Sequence, residues 1–241
     1  MDLGMTDRVK PLVEAVRRMV ADEIAPLDRE FHAEVGRHPS GDRFQHTKRQ
    51  TEILRELKAK ARERGLWNLW LTDSQKGRGL TTVEYADLAE EMGKVQLAAE
   101  VFNCSAPDTG NMEVFERFGS EKHKKRWLTP LMEGEIRSAY LMTEPQVASS
   151  DATNIELSAV QDGDDWILNG EKWWSTGAGD PRCAVFMVLA LSDREAGKHA
   201  RHTMFVVPAD AKGIELLRPM RVFGDDDAPH GHMHVSFKDV R

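Results

Sequence analysis

Cysteine and long hydrophobic runs are scarce in this sequence, and an excess of positive charge is absent. Only Cys104 and Cys183 occur among 241 residues, and their separate contexts favour reduced, half-buried thiols of a cytoplasmic protein over a disulfide. No apolar run is long enough to cross a bilayer, and the polar N-terminus lacks the hydrophobic region of a secretory signal. With 33 Lys and Arg against 40 Asp and Glu, the formal charge of −7 argues against nucleic-acid binding.

The spacing of apolar residues divides the chain into two parts. From Thr6 to about Gly134 they recur every three or four positions, which is typical of helices. From Arg137 onward the period changes to two, which is typical of strands. Helices followed by strands, without β-α alternation, argue against a Rossmann domain and favour an α+β protein or separate domains. We therefore predict a helical domain over residues 1–136 and a β domain over residues 137–241.

Residues that typically cap or break helices predict where the first two helices begin and end. Pro11 fits the first turn of a helix that starts near Asp7, and Pro26 is expected to end it. A second helix is predicted over residues 47–64, with Gly65 as its left-handed C-terminal cap.

Three further helical segments are predicted before the strands begin. Thr81 and Glu84 form a Thr-x-x-Glu capping box, which starts a helix that runs through residue 92. Residues 104–111 have the small side chains of a loop, and a helix is expected over residues 113–118. Ser120 is expected to cap the helical segment that follows.

The sequence of the second part predicts three strands and one hairpin turn. Nearly continuous apolar runs at residues 184–191 and 203–207 favour buried strands, and strict alternation at residues 232–237 favours a strand with one buried face. The dipeptide Asn169-Gly170 is a strong signal for a two-residue hairpin turn, so we place a turn there.

Two clusters of polar and aromatic residues lie where the strand pattern breaks into loops. They read AYLMTEPQVASSDATNI at residues 139–155 and NGEKWWSTGAG at residues 169–179. Trp173 and Trp174 offer flat faces, and hydroxyls come from Thr143, Ser149, Ser150, Ser175 and Thr176. This combination suits a planar, phosphorylated cofactor. An ordinary Thr-Glu-Pro turn with the two tryptophans in the core and at its rim is the alternative.

Both clusters resemble the signature motifs of the acyl-CoA dehydrogenases. The matching segments are MTEPQVASSD and NGEKWWST, in the family's order and at its usual distance. The longer TEPQVASSDATNI form, with FNCSAPDTGNME upstream, is similar to the subgroup linked to long or branched acyl chains. The resemblance runs from about Gly65 to Arg241 and more loosely to the N-terminus. It implies an N-terminal helical bundle, a β-barrel-like middle domain and a C-terminal four-helix bundle, of which this chain matches the first two.

The resemblance also implies a reaction and a cofactor. The family removes a proton from the α carbon of a fatty acyl-CoA and passes a hydride from the β carbon to N5 of FAD. By resemblance, Thr143 hydrogen-bonds the pyrimidine edge of the flavin, helped by the backbone near Tyr140 and Met142. Trp174 packs against the ring, and Thr176 hydrogen-bonds near N5.

Three serines complete the cofactor site that the resemblance implies. They are Ser149, Ser150 and Ser175, and Ser150 also lies near the pyrophosphate and the CoA chain of the substrate. The sequence departs from the family at two points here. Ser175 stands where many members carry an apolar residue, and one extra residue separates Pro145 from Ser150.

The catalytic base of the family is a glutamate in the C-terminal bundle or on an equivalent helix there. This chain stops at Arg241 without such a helix, so we expect no catalytic residue in it and no dehydrogenation by it alone. Glu144 is the tempting substitute, but no like charge or apolar pocket is evident to tune it as a base, so we expect it to tie the loop.

The resemblance implies several partners. Electron-transfer flavoprotein would accept the electrons, and a longer protein would form a homodimer or homotetramer in the cytoplasm, or in the mitochondrion of a eukaryote. Two alternatives stay open. One is a different reaction on the same fold, as in an acyl-CoA oxidase or a flavin monooxygenase; the other is a truncated, non-catalytic binding module.

Three histidines form the last candidate site. His230, His232 and His234 alternate in a strand-like pattern, so their imidazoles could share a face and bind a metal. Solvated histidines beside the acidic turn at residues 225–227 are the alternative. Because only one element would supply ligands, we predict no metal site.

Overall fold

The computed structural model of the chain describes residues 4–72 and 77–241. Contacts divide the chain into two compact units, Met1–Phe118 and Gly119–Arg241. The described part of the first unit is helical, and the second unit carries the β-sheet, which confirms the α+β class. The domain boundary at residues 136 and 137 stays a prediction. In the described ranges, no helix is long and apolar enough to cross a membrane.

The first unit packs its helices around one apolar core. The helices are α1 (Lys10–Met19), α2 (Ala25–Ala33), α3 (Lys48–Glu63), α4 (Thr82–Met92), α5 (Ala98–Val101) and α6 (Asp108–Phe118). The fully buried members of the core include Val16, Ile24, Ile53, Leu57, Leu69, Leu88 and Phe102. Residues 36–44, whose Gly, Pro and Ser content is typical of a loop, form turns and coil between α2 and α3.

The predicted caps of α3 and α4 are confirmed. The Thr81 hydroxyl accepts the N–H of Glu84, and the Glu84 carboxylate accepts the N–H of Thr81 at 2.9 Å. Gly65 has a φ of +65°, and the next residue, Leu66, donates its N–H to the Ala61 carbonyl at 2.8 Å. That bond closes the end of α3 as a left-handed glycine cap does.

The prediction that Pro26 ends the first helix is wrong. The chain continues from α1 through a π-helical segment, Val20–Ile24, directly into α2. The Ala25 N–H donates to the Val20 carbonyl, five residues back. Pro26 then occupies the first turn of α2, where a missing N–H breaks no helical hydrogen bond.

The predicted loop at residues 104–111 is also too long. Helix α6 begins at Asp108 and includes Gly110. Asn111 and Met112 are buried, with 2% and 0% of their surface exposed. Burial of this face outweighs the weak helix propensity of the small residues, on which the loop prediction rested. Ser120 does cap the next helical turn, since its hydroxyl accepts the His123 N–H.

The second unit opens with short helices and continues into a curled, seven-stranded half-barrel. Its helices are α7 (Glu121–His123) and α8 (Thr129–Met132), joined by a π-helical segment over Lys124–Leu128. The strands are β1 (Arg137–Leu141), β2 (Ser158–Asp162), β3 (Asp165–Thr176), β4 (Cys183–Leu191), β5 (His202–Pro208), β6 (Ile214–Pro219) and β7 (His232–Val240). Their order is β1-β4-β2-β3-β7-β6, with β5 also paired to β4. The three predicted strands are confirmed as β4, β5 and β7. The predicted burial is wrong for β5, because Val207 is its only buried residue and the others are exposed or half-buried.

The prediction of a hairpin turn at Asn169-Gly170 is wrong, because the dipeptide lies inside β3. The tight turn between β2 and β3 falls at residues 163 and 164. Asn169-Gly170 instead lies where the pairing of β3 with β7 shifts register, and the extra residue of this bulge is in β7, where Asp239 has a φ of +50°. The Asn169 amide oxygen accepts the N–H of Asp239 at 2.8 Å. Gly170 has a φ of +141°, which glycine adopts readily, so the dipeptide suits this irregularity as well as a turn.

The sequence does not predict strand β6, which the structure shows. Four of its six residues are exposed and the other two are half-buried, so it lacks the apolar alternation that marks a strand. Its pairing with β7 brings the backbone before it close to the chain end, where the Lys238 N–H donates to the Gly213 carbonyl at 2.9 Å.

Replacing Gly213 by alanine is expected to destabilise the second unit by about 3 kcal/mol. Gly213 has a φ of +95°, and an added Cβ would lie 2.1 Å from the Lys238 carbonyl oxygen. Gly224→Ala is the matched control, since its φ of +90° is similar but no atom lies within 4 Å of its Cβ. The control should lose only about 1 kcal/mol. Urea denaturation of both variants measures this, and equal losses would show that the close approach is unimportant.

Candidate functional site

The two signature motifs meet in the second unit. The first follows β1, and the second forms the end of β3. The Trp173 N–H donates to the Thr143 carbonyl at 3.0 Å, and the Thr143 hydroxyl donates to the Trp173 carbonyl at 2.8 Å. Residues that are distant in the sequence are therefore locked side by side by a reciprocal pair of hydrogen bonds.

A buried ion pair lies beneath this junction. The Lys172 Nζ donates to the Met142 carbonyl at 2.7 Å and to Oε1 of Glu144 at 2.8 Å. The Glu144 carboxylate also accepts the N–H groups of Glu156 and Leu157, each at 2.8 Å. Lys172 is 0% and Glu144 2% exposed. The carboxylate thus fastens both ends of the 144–157 loop and the second motif together.

Burial is the largest influence on the pKa of Lys172. It lowers the pKa of the Lys172 ammonium from 10.5 to about 8, although Glu144 opposes the shift. At neutral pH the lysine is therefore still protonated. The unfolded chain keeps this proton to a higher pH than the folded chain, so the contribution of Lys172 to stability rises as the pH increases from about 8 to 10.5.

The two serines of the first motif have different surroundings. Ser149 is buried, and its hydroxyl accepts the Glu144 N–H at 2.7 Å. Ser150 is exposed. Asp151 then caps a short 3₁₀ turn by accepting the N–H of Thr153 at 3.0 Å. The buried Ser149 hydroxyl holds the loop to the Glu144 backbone, whereas Ser150 stays exposed on the other side of the loop.

Trp174 lies on a backbone irregularity of β3. The pairing with β7 shifts register between Lys172 and Ser175, and Trp174 between them has a φ of +52°. Its side chain is 38% exposed. The next residue, Ser175, is buried, and its hydroxyl has no hydrogen-bond partner in the described part of the chain. A positive φ at tryptophan is unusual and marks a functional or strained position.

Thr176 and His232 face each other across β3 and β7. The Thr176 Oγ1 lies 2.8 Å from Nδ1 of His232. The other ring nitrogen, Nε2, lies 4.0 Å from the Asp227 carboxylate. The His232 ring also lies 5.8 Å from the Trp174 ring. One imidazole therefore connects two residues of the second motif.

The three histidines do not converge. His232 bonds Thr176, whereas His234 Nε2 bonds the Glu171 carboxylate at 2.9 Å. His230 precedes β7 and lies beside Gly177. Within the described ranges, no group of three metal-ligating side chains is found.

The structure thus brings most of the sequence-predicted site residues together. Hydrogen bonds or ring contacts connect Met142, Thr143, Ser149, Trp174 and Thr176, directly or through Lys172, Glu144, Trp173 and His232. Tyr140 stays in β1, where burial raises the pKa of its hydroxyl. Neither Tyr140 nor Ser150 is joined to the others by a side-chain hydrogen bond in the described residues.

Sequence reasoning missed the buried pairing of Lys172 with Glu144 and the pairing of His232 with Thr176. For Lys172 a signal exists, because alternation in β3 puts it on the same buried face as Leu168. A lysine there requires an acidic partner, and Glu144 lies in the other motif. His232 carries no comparable signal, because its neighbours depend on the register between β3 and β7.

Comparisons with known proteins agree with the motifs. The family models described as acyl-CoA dehydrogenase, N-terminal domain, and acyl-CoA dehydrogenase, middle domain, match residues 6–135 and 139–240. Mouse "Acyl-CoA dehydrogenase family member 10" is 47% identical over 99% of this chain and 22% of its own length. A Mycobacterium abscessus structure described as an acyl-CoA dehydrogenase is 48% identical, with a TM-score of 0.90 over 98% of this chain and 59% of that one.

A more distant structure shares the fold alone. The "FAD complex of PigA" has a TM-score of 0.74 and 20% identity, and the match covers 100% of this chain and 57% of that one. The chain therefore spans only part of each protein that it matches.

Replacing Lys172 by methionine is expected to lower the free energy of unfolding by about 3–5 kcal/mol, because it leaves the Glu144 carboxylate buried without its ammonium partner. Lys198→Met is the matched control. Lys198 is exposed and lies 3.6 Å from the exposed Asp151 carboxylate, so its loss should change stability by less than about 1 kcal/mol. Chemical denaturation followed by tryptophan fluorescence compares the two. A Lys172 variant as stable as the control would contradict the structural importance of the pair.

Proposed function

This chain belongs to the acyl-CoA dehydrogenase family, and on that premise we propose that it is the flavin-binding part of an enzyme that oxidises acyl-CoA. The observation that carries the proposal is the reciprocal pair of hydrogen bonds between Thr143 and Trp173. It holds Thr143 of the first motif beside the backbone of Trp173 and therefore next to the Trp173-Trp174 pair of the second. Because the chain spans about half or less of its relatives' length, the activity is proposed for a full-length protein.

The residues at the junction fit FAD chemically. A flavin needs a flat apolar contact and hydrogen bonds at its polar edge. Trp174 presents a partly exposed indole on a left-handed backbone. The buried Ser175 hydroxyl lacks a partner in the described residues, and such a group is costly unless something binds it. These features support a bound molecule at this junction.

Each residue is assigned a role that its contacts allow. The Thr143 hydroxyl donates to Trp173, so it is left to accept a hydrogen bond from the pyrimidine edge. Tyr140 and Met142 contribute backbone groups of the same strand end. Trp174 packs against the ring, and the Thr176 hydroxyl lies near N5. FAD, when bound, supplies the electron acceptor.

The serines divide between loop shape and ligand contact. Ser149 already bonds the Glu144 backbone, so its part in cofactor binding is to hold the loop closed. Ser175 offers its unpartnered hydroxyl. Ser150 is exposed and is assigned to the pyrophosphate side and the CoA chain.

Glu144 is not assigned as the catalytic base. Its two oxygens accept three N–H groups, from Lys172, Glu156 and Leu157. These bonds engage both carboxylate oxygens in holding the loop and Lys172, so neither oxygen is left to accept a proton from a substrate. We propose that the base belongs to another part of the full-length protein.

The remaining family properties are proposals of the same kind. They comprise a long or branched acyl chain, electron-transfer flavoprotein as acceptor, and a homodimer or homotetramer in the cytoplasm or the mitochondrion. The longer form of the first motif supports the choice of acyl chain.

One experiment tests the reaction. Purified full-length protein should show flavin absorption, and anaerobic addition of an acyl-CoA from a panel of chain lengths should bleach it. Hydrogen peroxide formed in step with turnover would indicate an oxidase instead. Flavin that no acyl-CoA bleaches would indicate a binding module, and protein that takes up no flavin would overturn the proposal.

Replacing Trp174 by alanine should weaken FAD binding about fivefold, through loss of roughly 1 kcal/mol of ring stacking. Phe223→Ala is the matched control, because Phe223 is also an exposed aromatic residue with a φ of +52°. Titration of FAD into flavin-free full-length protein, followed by fluorescence quenching, gives both affinities. Equal affinities would remove Trp174 from the cofactor site.

Replacing Thr176 by alanine should slow flavin reduction about tenfold while changing acyl-CoA affinity less than about twofold, because the hydroxyl acts as charge develops on the ring. Thr203→Ala is the control, since that hydroxyl lies in β5 and bonds Ser192, the residue after β4. Stopped-flow reduction at several acyl-CoA concentrations separates rate from affinity. Equal loss in both quantities would contradict the role near N5.

A further inference from the structure

A row of three polar side chains leads from Thr176 to the surface of the second unit. Thr176 Oγ1 and His232 Nδ1 are 2.8 Å apart, and His232 Nε2 is 4.0 Å from Asp227. The His232 side chain is 29% and the Asp227 side chain 45% exposed. The imidazole is therefore open to protons from solvent at one end and bonded to Thr176 at the other.

At 4.0 Å the Asp227 carboxylate is beyond hydrogen-bond distance of His232 Nε2, but its negative charge favours one ring nitrogen as the carrier of the hydrogen in the neutral state. A carboxylate only accepts hydrogen bonds, so Asp227 favours the hydrogen on Nε2 of His232. Nδ1 then has a lone pair, and the Thr176 hydroxyl must donate to it. In the doubly protonated imidazolium both nitrogens are donors, so Nδ1 donates to Thr176 and the hydroxyl hydrogen turns elsewhere.

We propose that His232 is a positioning residue that sets the direction of the Thr176 hydroxyl and, on gaining a proton, frees that hydroxyl to donate a hydrogen bond to the cofactor. The inference rests on the proposed flavin site. A hydroxyl that donates stabilises negative charge on an acceptor ring, whereas one already donating to His232 offers only its lone pairs. Flavin reduction is therefore faster when His232 is protonated.

The other titratable groups of this region lie against residues other than His232. Glu171 on β3 bonds His234 at 2.9 Å. Arg218 on β6 lies opposite His234 in the ladder between β6 and β7. In the loop before β7, His230 lies beside Gly177. Asp227 is thus the charge that faces the His232 ring.

The test uses flavin-loaded full-length protein and the His232→Asn variant. An asparagine amide reaches the place of Nδ1 and keeps one hydrogen bond to Thr176, but it does not titrate. The ratio of wild-type to variant reduction rate should rise about three- to tenfold as the pH is lowered across the range from about 8 to 5, in which imidazoles gain a proton. The catalytic base titrates in both proteins, so its effect cancels in the ratio.

His234→Asn is the matched control, since it removes the neighbouring imidazole on the same face. Its rate ratio to wild type should stay constant with pH. The resting protein provides a second readout, because the visible flavin spectrum should shift with pH in wild type and in the control. The shift should vanish in His232→Asn and in Thr176→Val, which removes the other partner of the bond.

The outcomes separate this inference from the proposed function. Wild-type protein that holds no flavin overturns both. Flavin that acyl-CoA reduces, with the same pH profile in His232→Asn as in wild type, overturns the inference alone. Retention of the spectral shift in Thr176→Val also overturns it, because the imidazole would then act on the flavin without Thr176.

Discussion

The buried pair of Lys172 and Glu144 is the interaction on which the second unit's candidate site depends. It joins the end of β1, the long loop before β2 and the middle of β3 through hydrogen bonds of 2.7–2.8 Å. A buried pair is seldom a net source of stability, because desolvation opposes the attraction. Its value here is positional, since each of its partners belongs to a different segment of the site.

The exposed residues of the site take their positions from this buried pair. With Lys172 pointing inward, Trp173 bonds Thr143 and Trp174 emerges on the left-handed backbone of a bulge. The bulge also shifts the register with β7, which brings His232 opposite Thr176. The exposed side chains that suit a cofactor thus owe their positions to a lysine that no solvent reaches.

Patterns within one segment were predictable from the sequence, and relations between segments were not. The capping box at Thr81 and the alternation of β7 depend on neighbours along the chain, so the sequence shows them. Pro26 and Asn169-Gly170 misled because each fits two local geometries, and the choice between them depends on packing elsewhere. The motifs identify Thr143 and Trp174, but pairing His232 with Thr176 requires the strand register.

The complete burial of Lys172 has a chemical consequence. A pKa of about 8 gives this amine a larger neutral, nucleophilic fraction at neutral pH than an ordinary lysine has. Yet its side chain has 0% exposure, so no reagent in solution can touch it in the closed fold. An acylating reagent therefore modifies Lys172 only during moments when the strands around it separate. The rate at which this one amine is labelled therefore measures how often the site opens.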